Sequence, residues 1–187
     1  NFKMPPKTIK KIAIFPGAFK PFHGGHYQVV ESIAKRVERL YLIVSTKDRV
    51  RPKELPIIGS VMVKIWKTYI EPILPKNVNV VYSDGPINST FDILKQIDDS
   101  KQDIEIYLVS GAEDLERFRP ESLSKEAPNL SSKNLIKIAD VPRLDDLSGT
   151  KVRESIVQKN LKQFRNALPA PIAKNAKQIL DLLYTSG

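Results

Sequence analysis

The sequence predicts an α/β domain built on a five-stranded parallel sheet. Short runs rich in β-branched and other apolar residues are expected as buried strands at 11–15, 40–44, 78–82, 104–109 and 135–138. Between the first four of them, apolar residues recur at helical spacing at about 25–38, 61–74 and 91–97. Strands that alternate with helical segments favour parallel pairing through right-handed crossovers, so a doubly wound, Rossmann-like sheet with helices on both faces is expected.

The residues beside these elements set their expected boundaries. Pro16-Gly17 closes the first strand in a sharp turn. Asn88 or Ser89 is expected to cap the third helix. Trp66 and Phe91 stand among apolar residues of helical segments, and both are expected in the core.

Beyond the fifth strand the pattern is wholly helical. Helices are expected at about 150–160 and 173–184, with a short turn around 161–167 between them. A length of 187 residues fits one domain better than two. We therefore expect a single domain over 1–187, with an α/β core at about 8–146 and a helical C-terminal appendage, at about 147–187, packed on the sheet.

Composition narrows the class of protein. Without cysteine there is no disulfide framework and no thiolate metal site, and the N-terminal stretch lacks the apolar run of a secretory signal, so a cytoplasmic location is expected. No apolar run is long enough to cross a membrane. A net charge of +9 favours anionic partners, but without an RNA-binding aromatic motif a dedicated nucleic-acid domain is disfavoured. A homo-oligomer and a piece of a longer chain, which the first residue Asn1 suits, both stay open.

The loop Gly17–His26, of sequence GAFKPFHGGH, holds both histidines of the chain. It joins the first strand to the first helix, and a helix N-terminus there offers unpaired N–H groups to a phosphate. The loop matches neither G-x-G-x-x-G nor G-x-x-x-x-G-K-[ST]. His26 is expected in the first helical turn and His23 just before it, so that two imidazoles face one anion. Turn chemistry alone explains the glycines equally well, and a metal site is disfavoured because further ligands are missing from the loop.

The same loop resembles the G-x-F-x-P-x-H-x-G-H signature of the nucleotidylyltransferase superfamily, relatives of class I aminoacyl-tRNA synthetases. Residues Leu147–Arg153, of sequence LSGTKVR, resemble the family's second signature, I-S-[ST]-T-x-x-R. The two signatures stand in the family's order, and the resemblance covers most of the chain. Within the superfamily the chain is most similar to the archaeal-type nicotinamide-mononucleotide adenylyltransferases. Its residues Ser110–Leu115 also resemble the glycine-and-aspartate loop of that branch. Two features differ from that branch: Ala18 stands where the branch carries an arginine, and the loop at 45–49 is basic. Both leave the identity of the acceptor open.

The resemblance implies transfer of AMP from ATP to a phosphorylated acceptor such as nicotinamide mononucleotide, with release of pyrophosphate. Magnesium would come with ATP, and no metal-ligating residue of the chain is expected. Other members of the superfamily stay open as alternatives: a cytidylyltransferase, or a pantetheine-phosphate or flavin adenylyltransferase. The missing R-T-x-G-[IV]-S-T-[ST] form of the second motif disfavours an enzyme that makes CDP-alcohols. A different class also stays open, a non-catalytic nucleotide- or RNA-binding module.

The resemblance also implies roles for individual residues. The expected catalytic residues are His23, His26 and Arg153. The nucleotide is expected to contact residues of both signatures: Gly17, Ala18, Phe19, Gly25, Ser148, Gly149 and Thr150. Acceptor or triphosphate contacts are expected from residues on loops after the strands: Lys20, Lys47, Arg49, Gly111 and Asp114. Two simpler interpretations stay open, surface charge for the basic residues and a helix cap for Asp114.

Overall fold

The computed structural model describes residues 2–111, 115–139 and 149–185. Its contacts group the chain into two compact units. The sheet unit comprises Asn1–Gly17, Ser32–Ser45 and Lys76–Val141, and the loop unit comprises Ala18–Glu31, Thr46–Pro75 and Pro142–Gly187. The single-domain organisation expected from the sequence stays a prediction.

The sheet unit contains five parallel strands in the order β3-β2-β1-β4-β5. They are β1 (Lys11–Gly17), β2 (Arg39–Ser45), β3 (Val78–Ser83), β4 (Glu105–Leu108) and β5 (Ile136–Ile138). Each lies within two residues of its predicted bounds, because an apolar run flanked by turn residues marks a buried strand clearly. The predicted α/β fold with five parallel strands is confirmed.

Pro16 lies inside the central strand β1, although proline donates no hydrogen bond to a sheet. Ile14 faces β4, since its carbonyl oxygen accepts from the N–H of Val109 at 2.9 Å. Pro16 faces the same side, because alternate residues of a strand point their backbone groups the same way. The pairing with β4 ends at Leu108, so the absent N–H of Pro16 costs no hydrogen bond of the sheet.

Helix α1 (Gly24–Ala34) ends four residues earlier than predicted. Glu38, expected inside the helix, already belongs to the approach to β2, where its N–H donates to the carbonyl of Lys11 at 3.0 Å. Its carboxylate accepts from the N–H groups of Lys10 and Lys11 at 2.7 and 3.1 Å. The helical spacing of apolar residues continued past the end of the helix, but the hydrogen bonds of the sheet decided the boundary.

Helix α3 (Pro86–Asp99) packs its apolar face on β1, β2 and β3. The cap predicted at Asn88 or Ser89 is wrong: Gly85 precedes the helix and both residues lie in its first turn. Ser89 instead exchanges a hydrogen bond of 2.6 Å with the Ser83 hydroxyl. Phe91 is partly buried against the core. A 3₁₀ turn (Leu115–Phe118) and two helices that the sequence did not predict, α4 (Pro120–Glu126) and α5 (Pro128–Ser132), complete this unit.

The helix predicted at 61–74 belongs to the loop unit and is not one α-helix. Helix α2 (Gly59–Ile65) passes into a π-helical turn (Trp66–Ile70) and a 3₁₀ turn (Glu71–Ile73). Pro72 lies in that last turn and lacks an N–H, so the α-helical hydrogen bonding could not continue through it. Trp66 is fully buried, as predicted.

The C-terminal helices also belong to the loop unit. They are α6 (Gly149–Val157), α7 (Leu161–Ala167) and α8 (Ala176–Thr185), with a 3₁₀ segment (Ala170–Asn175) before α8. The turn predicted at 161–167 is wrong: it is helix α7, whose first turn is capped by the Asn160 side chain accepting from the N–H of Gln163 at 3.1 Å. Helix α8 packs on α7 and α2. Over the described ranges, no helix is long and apolar enough to span a membrane.

Candidate active site

The loop that follows β1 buries most of its side chains in the loop unit. Phe19 and Phe22 are 3% and 1% exposed, and His23 is 5% exposed. Phe19 has a left-handed backbone with φ 50°, a conformation that a bulky side chain rarely adopts. Helix α1 begins at Gly24, so His23 lies just before it and His26 in its first turn, where the sequence predicted them.

The two imidazole rings of this loop are stacked on each other. Their centroids lie 3.7 Å apart and their planes differ by 24°. The N–H of His23 donates to Nδ1 of His26 at 3.2 Å, and the N–H of Gly25 donates to Nδ1 of His23 at 3.1 Å. A ring nitrogen that accepts a hydrogen bond carries no proton, so each neutral ring has its proton on Nε2. Both histidines are thereby set as Nε2–H donors.

Both rings are neutral at neutral pH. Burial lowers the pKa of His23 to about 4, with a smaller contribution from the charge of Arg153. Burial also lowers the pKa of His26 well below 6.5, and the neighbouring His23 and Arg153 add to the effect. The pair therefore offers hydrogen-bond donors without positive charge, and any cation at this site comes from lysine or arginine.

An aromatic cluster also packs against the ring of His26. The ring of Phe22 is stacked on it at 5.6 Å, and the ring of Phe19 meets it edge-on at 5.0 Å. Trp66, the single tryptophan of the chain, packs against Phe22 at 4.8 Å and Phe19 at 5.6 Å. These contacts hold the imidazole in one orientation. The predicted nucleotide residue Phe19 has its side chain in this cluster, and the predicted Gly25 gives its N–H to His23.

Arg153, 127 residues after His26, reaches the histidine loop from helix α6. Its Nη1 donates to the carbonyl oxygen of Lys20 at 3.4 Å. Gly149, one turn earlier on the helix, leaves room for the guanidinium: a Cβ there would lie 2.8 Å from Nη1 of Arg153. Tertiary structure thus brings the two predicted signatures together, within one unit.

A carboxylate that the sequence did not single out binds two arginines. Glu54 accepts from Nε and Nη2 of Arg49 at 2.9 and 3.4 Å, and its other contact is Nε of Arg153 at 3.5 Å. The hydrogen bond from Arg49 is the main reason that the pKa of Glu54 is lowered. Its signal in the sequence is faint: one acidic residue at the end of the basic run RVRPKE.

The lysines predicted for the site differ in burial. Lys20 is 4% exposed, and its Nζ lies 3.4 Å from the carbonyl oxygen of Ala18. Burial lowers the pKa of Lys20 to about 8, with Asp48 opposing the change and Arg49 adding to it. Lys47 is exposed. A buried amine with a lowered pKa is typical of functional sites.

A cavity of about 230 Å³ lies beside Arg153 and Glu54. The predicted Thr150, which is exposed in the first turn of α6, lines it together with Lys53. Lys53 was not singled out from the sequence. Charged and hydroxyl groups at a helix start can bind an anion of phosphate size.

The remaining predicted residues are placed as follows. Gly17 ends β1, paired with Val44, and Gly111 lies exposed after β4 in the sheet unit. Ser148 and Asp114 lie outside the described residues. Within the described ranges, no three His, Cys, Asp or Glu side chains are grouped closely enough to hold a metal ion.

Comparison with known proteins assigns the family. A family model described as cytidylyltransferase-like matches residues 14–155, which include the end of β1, the histidine loop, strands β2 to β5 and Arg153. The chain therefore belongs to the cytidylyltransferase-like family, and it is a nucleotidyltransferase.

Individual relatives resemble the chain in part or at low identity. The phosphopantetheine adenylyltransferase of Lactobacillus gasseri is 50% identical over 34 residues, which are 18% of this chain and 20% of that protein. A Vibrio parahaemolyticus structure described as a nicotinate-nucleotide adenylyltransferase has a TM-score of 0.58 at 16% identity, over 90% of this chain and 99% of its own. The nicotinic acid mononucleotide adenylyltransferase of Plasmodium falciparum, complexed with NaAD, has a TM-score of 0.56 at 15% identity, over 93% and 97%. The two structures show the shared fold.

Proposed function

We propose that this nucleotidyltransferase is an adenylyltransferase, which transfers AMP from ATP to a phosphorylated acceptor of the nicotinamide mononucleotide kind. One observation carries the proposal: two neutral imidazoles, set as Nε2–H donors, lie on the loop that the guanidinium of Arg153 reaches. Such a site suits the polyphosphate of a nucleotide, since it combines uncharged donors with a cation.

In the proposed reaction an acceptor phosphate oxygen attacks the α-phosphorus of ATP. A new phosphorus–oxygen bond forms, the bond between the α-phosphorus and its bridging oxygen breaks, and that oxygen leaves with pyrophosphate. The protein forms no covalent bond. Its task is to align two anions and to stabilise the charge that builds up on the α-phosphoryl oxygens and on pyrophosphate.

His26 and His23 are the proposed donors to the α-phosphoryl oxygens. Their protons already sit on Nε2, so no proton has to move before the reaction, and the aromatic cluster keeps the His26 ring from turning. Arg153 is proposed to bind the β- and γ-phosphates and so to stabilise the leaving pyrophosphate. Thr150 and the start of helix α6 would assist at the cavity beside it.

The other contacts follow the two signatures. Gly17, Ala18, Phe19, Gly25, Ser148 and Gly149 are the further residues proposed to surround the nucleotide, the buried Phe19 through its backbone. Lys20, Lys47, Arg49, Gly111 and Asp114 are the residues proposed for the acceptor. Magnesium would arrive with ATP, its charge neutralising phosphate oxygens.

The acceptor is the open part of the proposal. The archaeal-type nicotinamide-mononucleotide branch is our first choice, on the resemblance of both signatures. The 34-residue stretch that is 50% identical to a phosphopantetheine adenylyltransferase favours a second candidate, a pantetheine phosphate acceptor. Both acceptors present a phosphate monoester to the same α-phosphorus, so they differ in the remainder of the molecule and not in the chemistry.

Pyrophosphate release distinguishes these candidates. The protein is incubated with magnesium and either ATP or CTP, together with nicotinamide mononucleotide, nicotinic acid mononucleotide, phosphopantetheine or flavin mononucleotide. We expect pyrophosphate with ATP and either nicotinamide mononucleotide or nicotinic acid mononucleotide. Release with CTP would overturn the choice of base, and calorimetric binding of ATP without release under any acceptor would indicate a non-catalytic nucleotide-binding module.

Substitution of one imidazole tests the site. His26→Ala should lower kcat by about a hundredfold or more, the usual loss for one oxyanion donor. Gln28→Ala, an exposed position on the same helix, is the matched control and should leave kcat unchanged. Circular dichroism should show both variants folded. A folded His26→Ala enzyme with wild-type turnover would contradict the assigned role.

A further inference from the structure

Glu54 lies on a loop whose shape is fixed at its base. Arg49 and Ile57 form an antiparallel bridge, with N–H to carbonyl distances of 2.8 and 2.9 Å in the two directions. The carboxylate of Asp48 accepts from the N–H of Gly59 at 2.7 Å. Lys53 has a left-handed backbone with φ 64°, which turns the chain just before Glu54. The backbone therefore returns Glu54 to the side chain of Arg49.

The carboxylate of Glu54 engages the inner edges of two guanidinium groups. It contacts Nε and Nη2 of Arg49 and Nε of Arg153. The outer end of Arg153, Nη1, lies instead by the Lys20 carbonyl and close to Gly149. Two hydrogen bonds to Glu54 fix the plane of the Arg49 guanidinium, whereas Arg153 is oriented at two points, by the ion pair at Nε and by the hydrogen bond from Nη1 to Lys20. The orientation of a guanidinium decides where its remaining N–H groups point.

Resting on the proposed function, we infer that Glu54 is a positioning residue for phosphoryl transfer: it orients Arg49 and Arg153 on one carboxylate and so joins the 46–58 loop to helix α6. The side chains of all three residues are 19–25% exposed, so solvent partly screens these ion pairs and limits their contribution to stability. Their geometric effect is larger, because a displacement of about 1 Å at a reacting group can lower a rate by about a hundredfold.

Two other roles for Glu54 predict different kinetic results for Glu54→Gln. As an anion that occupies the phosphate sites of the arginines, it would compete with ATP, and Glu54→Gln would lower the KM for ATP. As a structural ion pair alone, it would change the melting temperature and leave kcat of the folded enzyme unchanged. As a positioning residue, its loss lowers kcat by about tenfold while the KM for ATP changes less than about threefold, since both cations remain.

The variants are Glu54→Gln, Glu54→Asp and Arg49→Lys. Aspartate keeps the charge and should restore part of the lost kcat. Lysine cannot span both carboxylate oxygens, so Arg49→Lys should lower kcat as well, and the double variant Glu54→Gln/Arg49→Lys should lose less than the product of the single losses. Asp181→Asn, which breaks an exposed ion pair with Lys177 on helix α8, is the matched control and should behave as wild type.

A second readout does not need the reaction. In ¹⁵N-labelled protein without nucleotide, the Nε–H resonance of Arg153, assigned with Arg153→Lys, should shift toward the solvent-exposed position in Glu54→Gln and stay in place in Asp181→Asn. An unshifted resonance would overturn the inference regardless of which reaction the enzyme catalyses. A shifted resonance with no pyrophosphate released by wild type would instead count against the proposed reaction and leave the contact with Glu54 established.

Discussion

Replacing Lys20 by methionine should make the protein more stable at neutral pH. The lysine is 4% exposed with a pKa lowered from 10.5 to about 8, so the folded chain releases its proton at lower pH than the unfolded chain. The unfolded state binds more protons between these values, and stability therefore rises with pH across that window. Each tenfold change in proton affinity is worth about 1.4 kcal/mol, so the charged amine costs the fold roughly 3 kcal/mol below pH 8.

Urea unfolding of wild type and Lys20→Met at several pH values measures this cost. Methionine keeps the apolar stem and removes the charge, so the variant should be more stable by about 3 kcal/mol at pH 7, and the difference should shrink toward zero as the pH approaches 10.5. The exposed Lys35, changed to methionine, controls for titration elsewhere in the chain. A stability difference that stays constant from pH 7 upward would refute the buried, strained cation.

The same variant links stability to the proposed chemistry. If the buried amine of Lys20 binds a phosphate, Lys20→Met should raise the KM for ATP or for the acceptor about tenfold or more. The same substitution raises stability, because the positive charge that destabilises the ligand-free protein also attracts the phosphate. Steady-state kinetics at pH 7 measure this. An unchanged KM for both substrates would remove Lys20 from the site.

Two further predictions concern the backbone and the imidazoles. Gly59→Ala should lower the free energy of unfolding in urea by about 3 kcal/mol or more, because its Cβ would lie 1.8 Å from the Thr46 carbonyl oxygen. The control Ser60→Ala, at an exposed position on the same helix, should change it little. Equal stability of the two variants would show that the helix start can move. Long-range ¹H–¹⁵N spectra at pH 7 should show His23 and His26 neutral with the proton on Nε2, and an imidazolium signal would contradict the buried pair. The free energy of unfolding should fall as the pH drops from 6.5 toward 4, because the unfolded chain takes up protons at a higher pH than the folded chain.

Local sequence signals predicted the parts of the molecule that local interactions control. An apolar run such as Leu40–Val44 has to be buried on both faces, which a parallel sheet provides, so all five strands were predictable. The breaks in the helices were less predictable. Glu38 left the helical pattern because sheet hydrogen bonds at Lys11 competed for it, and Asn160 capped a helix in a stretch that the sequence indicated as a turn.

The sequence by itself determined the α/β class, the loop with both histidines and the family resemblance, because these depend on residue types within a few positions of one another. Only the tertiary structure decided that the imidazoles are neutral Nε2–H donors, that Arg153 reaches the same loop and that Glu54 binds it together with Arg49. Protonation and ion pairing depend on burial and on atoms within about 4 Å. Residues that lie this close in space are here up to 133 positions apart in the sequence, so the fold of the chain decides which of them meet.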